Sequence, residues 1–509
     1  MGIKIRNALI SVWNKEGAVA LAKGLKRHNV AIYSTGGTAK ALQESGVDVI
    51  PLDSLTGFTE LIGGRVKTLH PKVFAGILAN RLLDDHMSAI AKLDIPAFDL
   101  IAVNLYPFED TLAKTTDLDK LVEMIDIGGV ALLRAAAKNH SGVITLSSPA
   151  DYLPMIGELD EFSEISIETS RRLAGKAFRA TSYYDALIAN TLDDEVLPST
   201  YPISLKLVSE MRYGENPHQK AALYTNSFER SGVPNAEQLW GKELSYNNIL
   251  DLDAVLSVVQ EFSNEISAGI VKHLGPCGMG TGDNLLEAYI AALEGDQVSA
   301  FGGIVGFSRP VDVPTAQKMS EHFFEAVLAP GYESEALEIL KQKKNLRILS
   351  MPLDLPVRKI QFRGVQGGML VQDMDLPYVP PSKWEVVSKR QPTENEEVAL
   401  KFAWRAVKCV KSNAIVIAGE KAIYGIGGGL PSRVDAAKLA VEKAGERAIG
   451  AVGASDAFFP FPDGMEVLAK AGVTAIVQPG GSIRDDGVTE RADELGIAMI
   501  HTGTRHFKH

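Results

Sequence analysis

Asn7–Trp13 (NALISVW) is a short, almost unbroken apolar run, and Glu16–Arg27 carries its apolar residues at helical spacing. Val30–Ser34, Ala39–Ser45 and Val47–Pro51 then read as strand, helix and strand. Phe98–Leu105 (FDLIAVNL) and Gly142–Ser147 are continuously apolar, as expected of parallel strands covered on both faces. This rhythm predicts an α/β parallel-sheet domain, followed by a helical stretch over Glu164–Asn190. Charge and two prolines over Asp193–Pro202 place the main boundary there, giving domains at 1–198 and 199–509.

From about Ser204 the pattern is more mixed. Strands are expected at Ala268–His273, Gly303–Phe307 and Ala414–Ala418, and helices at Asn284–Glu294, Thr315–Leu328 and Asp435–Ala444. Three prolines in Asp373–Lys383 mark a subdomain joint near 373–383. No close internal repeat stands out.

Composition narrows the class. The 509 residues are 46% hydrophobic and 23% charged, which fits a globular chain of several domains and disfavours disorder or coiled coil. With 52 basic and 63 acidic residues the formal charge is −11, so no overall positive field favours nucleic acid or anionic membrane. Anionic ligands must be met by local sites. Two cysteines, Cys277 and Cys409, allow neither a disulfide framework nor a four-thiolate zinc site, and point to a reducing cytoplasm. No apolar run approaches the ~18 residues of a membrane span, and the N-terminus does not read as a signal peptide.

Several segments carry chemistry. Ser34-Thr35-Gly36-Gly37-Thr38 joins a strand to a helix, where free N–H groups and the helix dipole favour phosphate; a plain turn with Thr38 as helix cap uses the same residues. Gly63-Gly64-Arg65-Val66-Lys67-Thr68-Leu69-His70-Pro71 sets two cations, a hydroxyl and an imidazole after a glycine pair, which suits clamping an anion and polarising an oxygen, or is a solvated basic loop. Asn104 and Tyr106 follow a predicted strand at its carboxyl end, where open α/β sheets meet ligands. Asp126 and Lys138 are candidate proton carriers or ordinary cap and ion-pair residues.

In the second half, Val271–Gly278 (VKHLGPCG) ends a strand in Lys272 and His273, setting a cation beside an imidazole base. Zinc at His273 and Cys277 lacks further ligands, and a nucleophilic Cys277 lacks a second base. Gly425–Arg433 is a glycine-rich approach to a helix that suits an anion, with Arg433 as charge partner. Ser455–Phe461 is an aromatic cluster, equally at home in a core, and Arg505–His509 is a tail that normally frays.

Together the segments STGGTAKAL, GGRVKTLHP, NLYPF, IDIGGVALLRAAAKNH, RYGENPHQ, VKHLGPCG, SDAFFPF and RHFKH, in this order from Leu9 to His509, are specific. The chain resembles the family of bifunctional purine-biosynthesis enzymes that join phosphoribosylaminoimidazolecarboxamide (AICAR) formyltransferase to IMP cyclohydrolase. The resemblance implies an N-terminal methylglyoxal-synthase-like domain and a C-terminal transformylase of two cytidine-deaminase-like subdomains. It implies a cytoplasmic homodimer that handles AICAR, formylated AICAR, IMP and folate. Its formyl donor would be 10-formyltetrahydrofolate, without a catalytic metal; a monovalent cation is the one ion it leaves open.

Carried over by position, Lys67, Tyr106, Asp126 and Lys138 would serve ring closure, and Lys272, His273 and Asn413 formyl transfer. His273 would take the proton from the 5-amino group, Lys272 would stabilise the oxyanion, and Asn413 would orient His273 or the substrate amide. Nucleotide would meet Trp13, Asn14, Lys15, Thr35, Gly36, Gly37, Thr38, Arg65, Val66, Thr68, Val103, Asn104 and Ile127 in the first domain. In the second it would meet Arg212, Tyr213, Gly302, Glu325, Arg433 and Arg505. Folate would meet Val434, Phe458, Ser482 and Ile483. Two departures stand out: Gly-Gly-Gly-Leu-Pro-Ser-Arg at 427–433 lacks a side-chain amide usual in the family, and Glu325 stands where some members carry Asp. A nucleotide sensor without turnover and a transformylase with a merely binding first domain are the competing readings.

Overall fold

The computed structural model describes all residues except 1, 59–61, 63–65, 227–230, 354–359 and 376–379. Arg65 and part of the proline-rich joint lie outside the described residues. The chain divides into two compact units, Met1–Leu205 and Lys206–His509. Among the described residues no helix is long and apolar enough to cross a membrane.

The first unit holds a five-stranded parallel sheet. Its order is Ile50–Pro51, Ala31–Ser34, Asn7–Ile10, Leu100–Ala102, Ile144–Leu146. The central strands are apolar on both faces because helices cover both: Leu21 and Leu25 pack with Ala8 and Ile10 on one side, Leu132 and Ala136 with Leu9 and Ile101 on the other. All carboxyl ends therefore open on one edge, the edge at which such sheets receive ligands.

The second unit contains two six-stranded sheets with the same strand plan. In the first, the hairpin Ser267–Lys272 and Gly275–Thr281 lies antiparallel to Ile304–Phe307, which continues in parallel through Ala326–Ala329 and Arg347–Ser350 to the antiparallel edge Glu237–Trp240. The second repeats this with the hairpin Ile415–Ala418 and Ile423–Gly427, then Val452–Ser455, Ala475–Gln478, Ala498–His501 and the edge Glu385–Val386. One core shared by helices Tyr246–Glu261 and Glu394–Lys408 joins the halves, with Val255, Val271, Ala403 and Val416 among its residues. The repeat is thus one of topology, and no close repeat stands out in the sequence.

Close packing is repeated too. A Cβ on Gly278 would run into the Ala292 carbonyl, and one on Gly427 into that of Ala436. In each half a hairpin strand presses backbone to backbone against the helix that follows it, Leu285–Leu293 or Arg433–Ala444. This revises the reading of Gly425–Arg433 as one loop: Gly425 and Gly427 are strand residues, and only 428–432 connects. The helix expected over Thr315–Leu328 ends at Ser320, and Ala326–Ala329 is a fully buried parallel strand. Four apolar residues in a row cannot be assigned by periodicity alone.

Candidate functional site

In the first unit the ligand edge is built by three strand ends. Asn104 ties two of them: its Oδ1 accepts from the Trp13 and Asn14 N–H groups at 2.7 and 2.9 Å, and its Nδ2 donates to the Asn14 carbonyl at 2.7 Å. The Trp13 and Tyr106 rings stand 4.9 Å apart, and Trp13 remains half-exposed on this edge. Thr38 does not cap the helix Gly36–Glu44. Its hydroxyl accepts from Val12 N–H at 3.1 Å and donates to Val12 O at 3.0 Å, locking two loops together. No side chain caps that helix, so its first N–H groups face the ligand edge. Lys67 Nζ and Lys15 Nζ lie 3.6 and 3.9 Å from where Cβ atoms on Gly36 and Gly37 would stand. Two ammonium groups beside a helix start without a side-chain cap are an arrangement chemically suited to a phosphate.

Asp126 lies against Gly129, whose N–H donates to Oδ1 at 2.7 Å; a side chain at 129 would occupy the carboxylate's place. Burial raises its pKa, and the N–H groups of Gly129 and Tyr106 offset only part of that rise. Thr68 is buried, with Oγ1 2.7 Å from where a Cβ on Gly128 would stand, so the 67–68 segment meets the start of helix Gly128–Lys138. Tyr184, which sequence reasoning missed, fixes this approach: its hydroxyl accepts from Asp126 N–H at 2.9 Å and donates to Met124 O at 2.7 Å. Nothing near position 184 signals a partner 58 residues away. Val103 is buried, Val66 half-buried and Ile127 exposed. Lys138 sits at the other end of its helix, about 15 Å along the axis from Gly128, and is exposed. The fold of this chain does not bring it to Asp126.

Two cavities lie in the second unit: Lys411, Gly428 and Gly429 are among the residues lining one, and Asn413 and Pro431 among those lining the other. The first, about 570 Å³, is lined by Lys272, His273, Cys277, Lys411 and Lys443 among others. Lys443 Nζ is 2.8 Å from Asp296. Lys272 Nζ donates to Phe301 O at 2.7 Å, which brings it beside Gly302, whose φ of 74° suits glycine. Glu325 pairs with Arg347 at 2.6 Å. His273 and Leu274 both have positive φ, 52° and 64°, and the Asp251 carboxylate accepts from their N–H groups at 3.1 and 2.6 Å. Burial pushes the Cys277 thiol up to about 12, so it stays protonated. Among the described residues no group of three or more His, Cys, Asp or Glu could hold a metal.

The second cavity, about 630 Å³, gathers Asn413, Arg433, Val434, Phe458 and Arg505. Arg433 is buried and ion-paired with the wholly buried Asp456; it also donates to Ser455 Oγ at 2.9 Å and Asn413 Oδ1 at 2.8 Å. The guanidinium is therefore largely neutralised before any ligand arrives. Asn413 Nδ2 donates to the Leu430 and Pro431 carbonyls at 2.9 and 3.1 Å, so both its N–H groups are used on main chain rather than on orienting His273. Because those contacts use only main chain, the departure at Leu430 and Pro431 leaves them intact. The tail is ordered by backbone bonds: His506 N–H to Asp456 O at 2.9 Å, and Ser412 N–H to Lys508 O at 2.8 Å. Arg505 is thereby held on the cavity wall, stacked 4.6 Å over Phe507. Ser482 N–H donates to Asp485 at 3.1 Å in the loop after Ala475–Gln478, and Ile483 is fully exposed beside it. Arg212 stacks on Tyr213 at 4.7 Å.

Comparison with known proteins gives a consistent picture. Residues 136–443 match the family described as AICARFT/IMPCHase bienzyme, and residues 17–131 match the MGS-like domain. Proteins named "Bifunctional purine biosynthesis protein PurH" from Halalkalibacterium halodurans, Bacillus subtilis and Bacillus cereus are 49%, 48% and 48% identical. Each alignment covers 99% of this chain and 100% of the relative.

Proposed function

Because the chain belongs to the AICARFT/IMPCHase bienzyme family, we propose that it makes IMP from AICAR in two steps, formyl transfer in the second unit and ring closure in the first. The observation that carries this reading is the presence in one chain of two separate polar constellations. One is Lys15, Lys67, Tyr106 and Asp126 at the sheet edge; the other is Lys272 and His273 on a cavity wall.

For transfer, the folate-type co-substrate is read as 10-formyltetrahydrofolate. The 5-amino nitrogen of AICAR attacks the formyl carbon while His273 accepts its proton and Lys272 faces the developing oxyanion. The bond from the formyl carbon to folate N10 then breaks, and N10 takes a proton. For closure, the carboxamide nitrogen attacks the formyl carbon and its oxygen leaves as water. Lys15 and Lys67 hold the phosphate end, and Asp126, with its raised pKa, moves the proton.

The repeated sheets support reading each half of the second unit as a deaminase-like subdomain. The cytoplasmic homodimer implied by the resemblance belongs to the same proposal, and light scattering of the purified chain decides its dimeric part. Activity is tested by mixing the protein with AICAR and 10-formyltetrahydrofolate. IMP formation is expected, and tight nucleotide binding without IMP would favour the sensor reading instead.

A further inference from the structure

The turn that carries His273 is unusual. Two consecutive residues with side chains, His273 and Leu274, occupy the left-handed region at φ 52° and 64°, where residues other than glycine are strained. Successive N–H groups in such a conformation point to one side and form a small anion-binding concavity. Here both bonds go to one carboxylate, that of Asp251, from the helix Tyr246–Glu261 packed beneath the hairpin. Asp251 lies 22 residues before His273, and no motif on either side of it signals the contact.

The turn also sets where the two reacting groups point. Lys272 ends the strand and is anchored through Nζ to Phe301 O at 2.7 Å, and His273 is the next residue. A change in the 273–274 backbone would swing the imidazole relative to the ammonium group. We propose that Asp251 is a positioning residue for formyl transfer, holding the His273–Leu274 turn so that the imidazole faces the cavity beside Lys272. This rests on the reading of His273 as the transfer base.

The test uses the full-length protein and three variants. Asp251→Asn keeps the side-chain shape but presents an NH₂ to one of the two N–H groups, so it cannot accept both bonds. Its kcat for formyl transfer is expected to fall about 100-fold, with KM for AICAR changing less than about threefold. Closure of supplied formylated nucleotide is expected to stay at the parent rate, which also reports a folded chain. Adding Leu274→Gly to Asp251→Asn removes the steric cost of the turn, and is expected to restore kcat by about tenfold or more. A general structural role for Asp251 would give no such rescue. His273→Ala separates the two readings: if it retains transfer, the assignment of the base is wrong. If it abolishes transfer while Asp251→Asn retains parental kcat, or while the glycine rescue fails, the positioning role is overturned.

Discussion

At the residue scale, the clearest division is between groups ready for chemistry and groups already committed to the fold. Arg433 looks in sequence like an anion receptor, yet Asp456, Ser455 and Asn413 occupy its donors. Breaking such a buried pair leaves an unpaired charge, so Asp456→Ala is expected to destabilise the protein by about 3 kcal/mol or more in urea unfolding. Asp126 is the opposite case. Its folded pKa is raised, so the cost of ionising it is absent while the carboxyl is protonated, below the ordinary carboxylate value, and appears as pH rises through the folded value. Asp126→Asn is therefore expected to raise the melting temperature at pH 7 while lowering the rate of ring closure at least about 100-fold. The acid limb of closure in the parent protein should lie above the pH at which an ordinary aspartate titrates. Sequence patterns bring Asp126 forward as a candidate, but Tyr184 and Asp251 are legible only in three dimensions. Each acts through backbone N–H groups distant in the chain.

At the element scale, strands and helices of the first unit are readable because their apolar runs are bounded by glycine and proline. The second unit is harder: its parallel strands Ala326–Ala329, Val452–Ser455 and Ala475–Gln478 are each four residues long and wholly buried, so their pattern resembles that of a core helix. Its glycines mislead for a physical reason, since Gly278 and Gly427 serve close strand-to-helix packing. Gly427→Ala is expected to cost about 1–3 kcal/mol, measured as a lower urea midpoint at unchanged slope. The helix Glu394–Lys408 begins with a capping box in which Glu396 also meets Arg390 and Thr474. Burial alone would raise Glu396, but these bonds bring its pKa from 4.5 to about 2. Its contribution is thus complete above about pH 4.5 and is lost as pH falls through about 2. Glu396→Gln is expected to flatten this acid dependence and remove on the order of 2 kcal/mol at pH 7.

At the scale of the whole molecule, several of the segments that identify the family line sites: STGGTAKAL and NLYPF follow strand ends in the first unit, and VKHLGPCG, SDAFFPF and RHFKH supply cavity walls in the second. The duplicated sheet plan carries no such signature, because many sequences satisfy one topology. Length and charge bound the problem, but the two-unit division gives it functional content. Each unit holds its own core and its own polar constellation. The two steps should therefore be separable by single substitutions. His273→Ala is expected to abolish formyl transfer while retaining ring closure, and Lys67→Ala to do the reverse.

The most direct test is a mixture of purified Lys67→Ala and His273→Ala proteins supplied with AICAR and 10-formyltetrahydrofolate, with IMP followed over time. The account predicts that neither variant alone forms IMP above the solvent rate. The mixture should form it, because one protein formylates and the other closes the ring. A mixture that forms no IMP, although both proteins are folded and the unsubstituted chain is active, would contradict the assignment of the two steps to two independent sites.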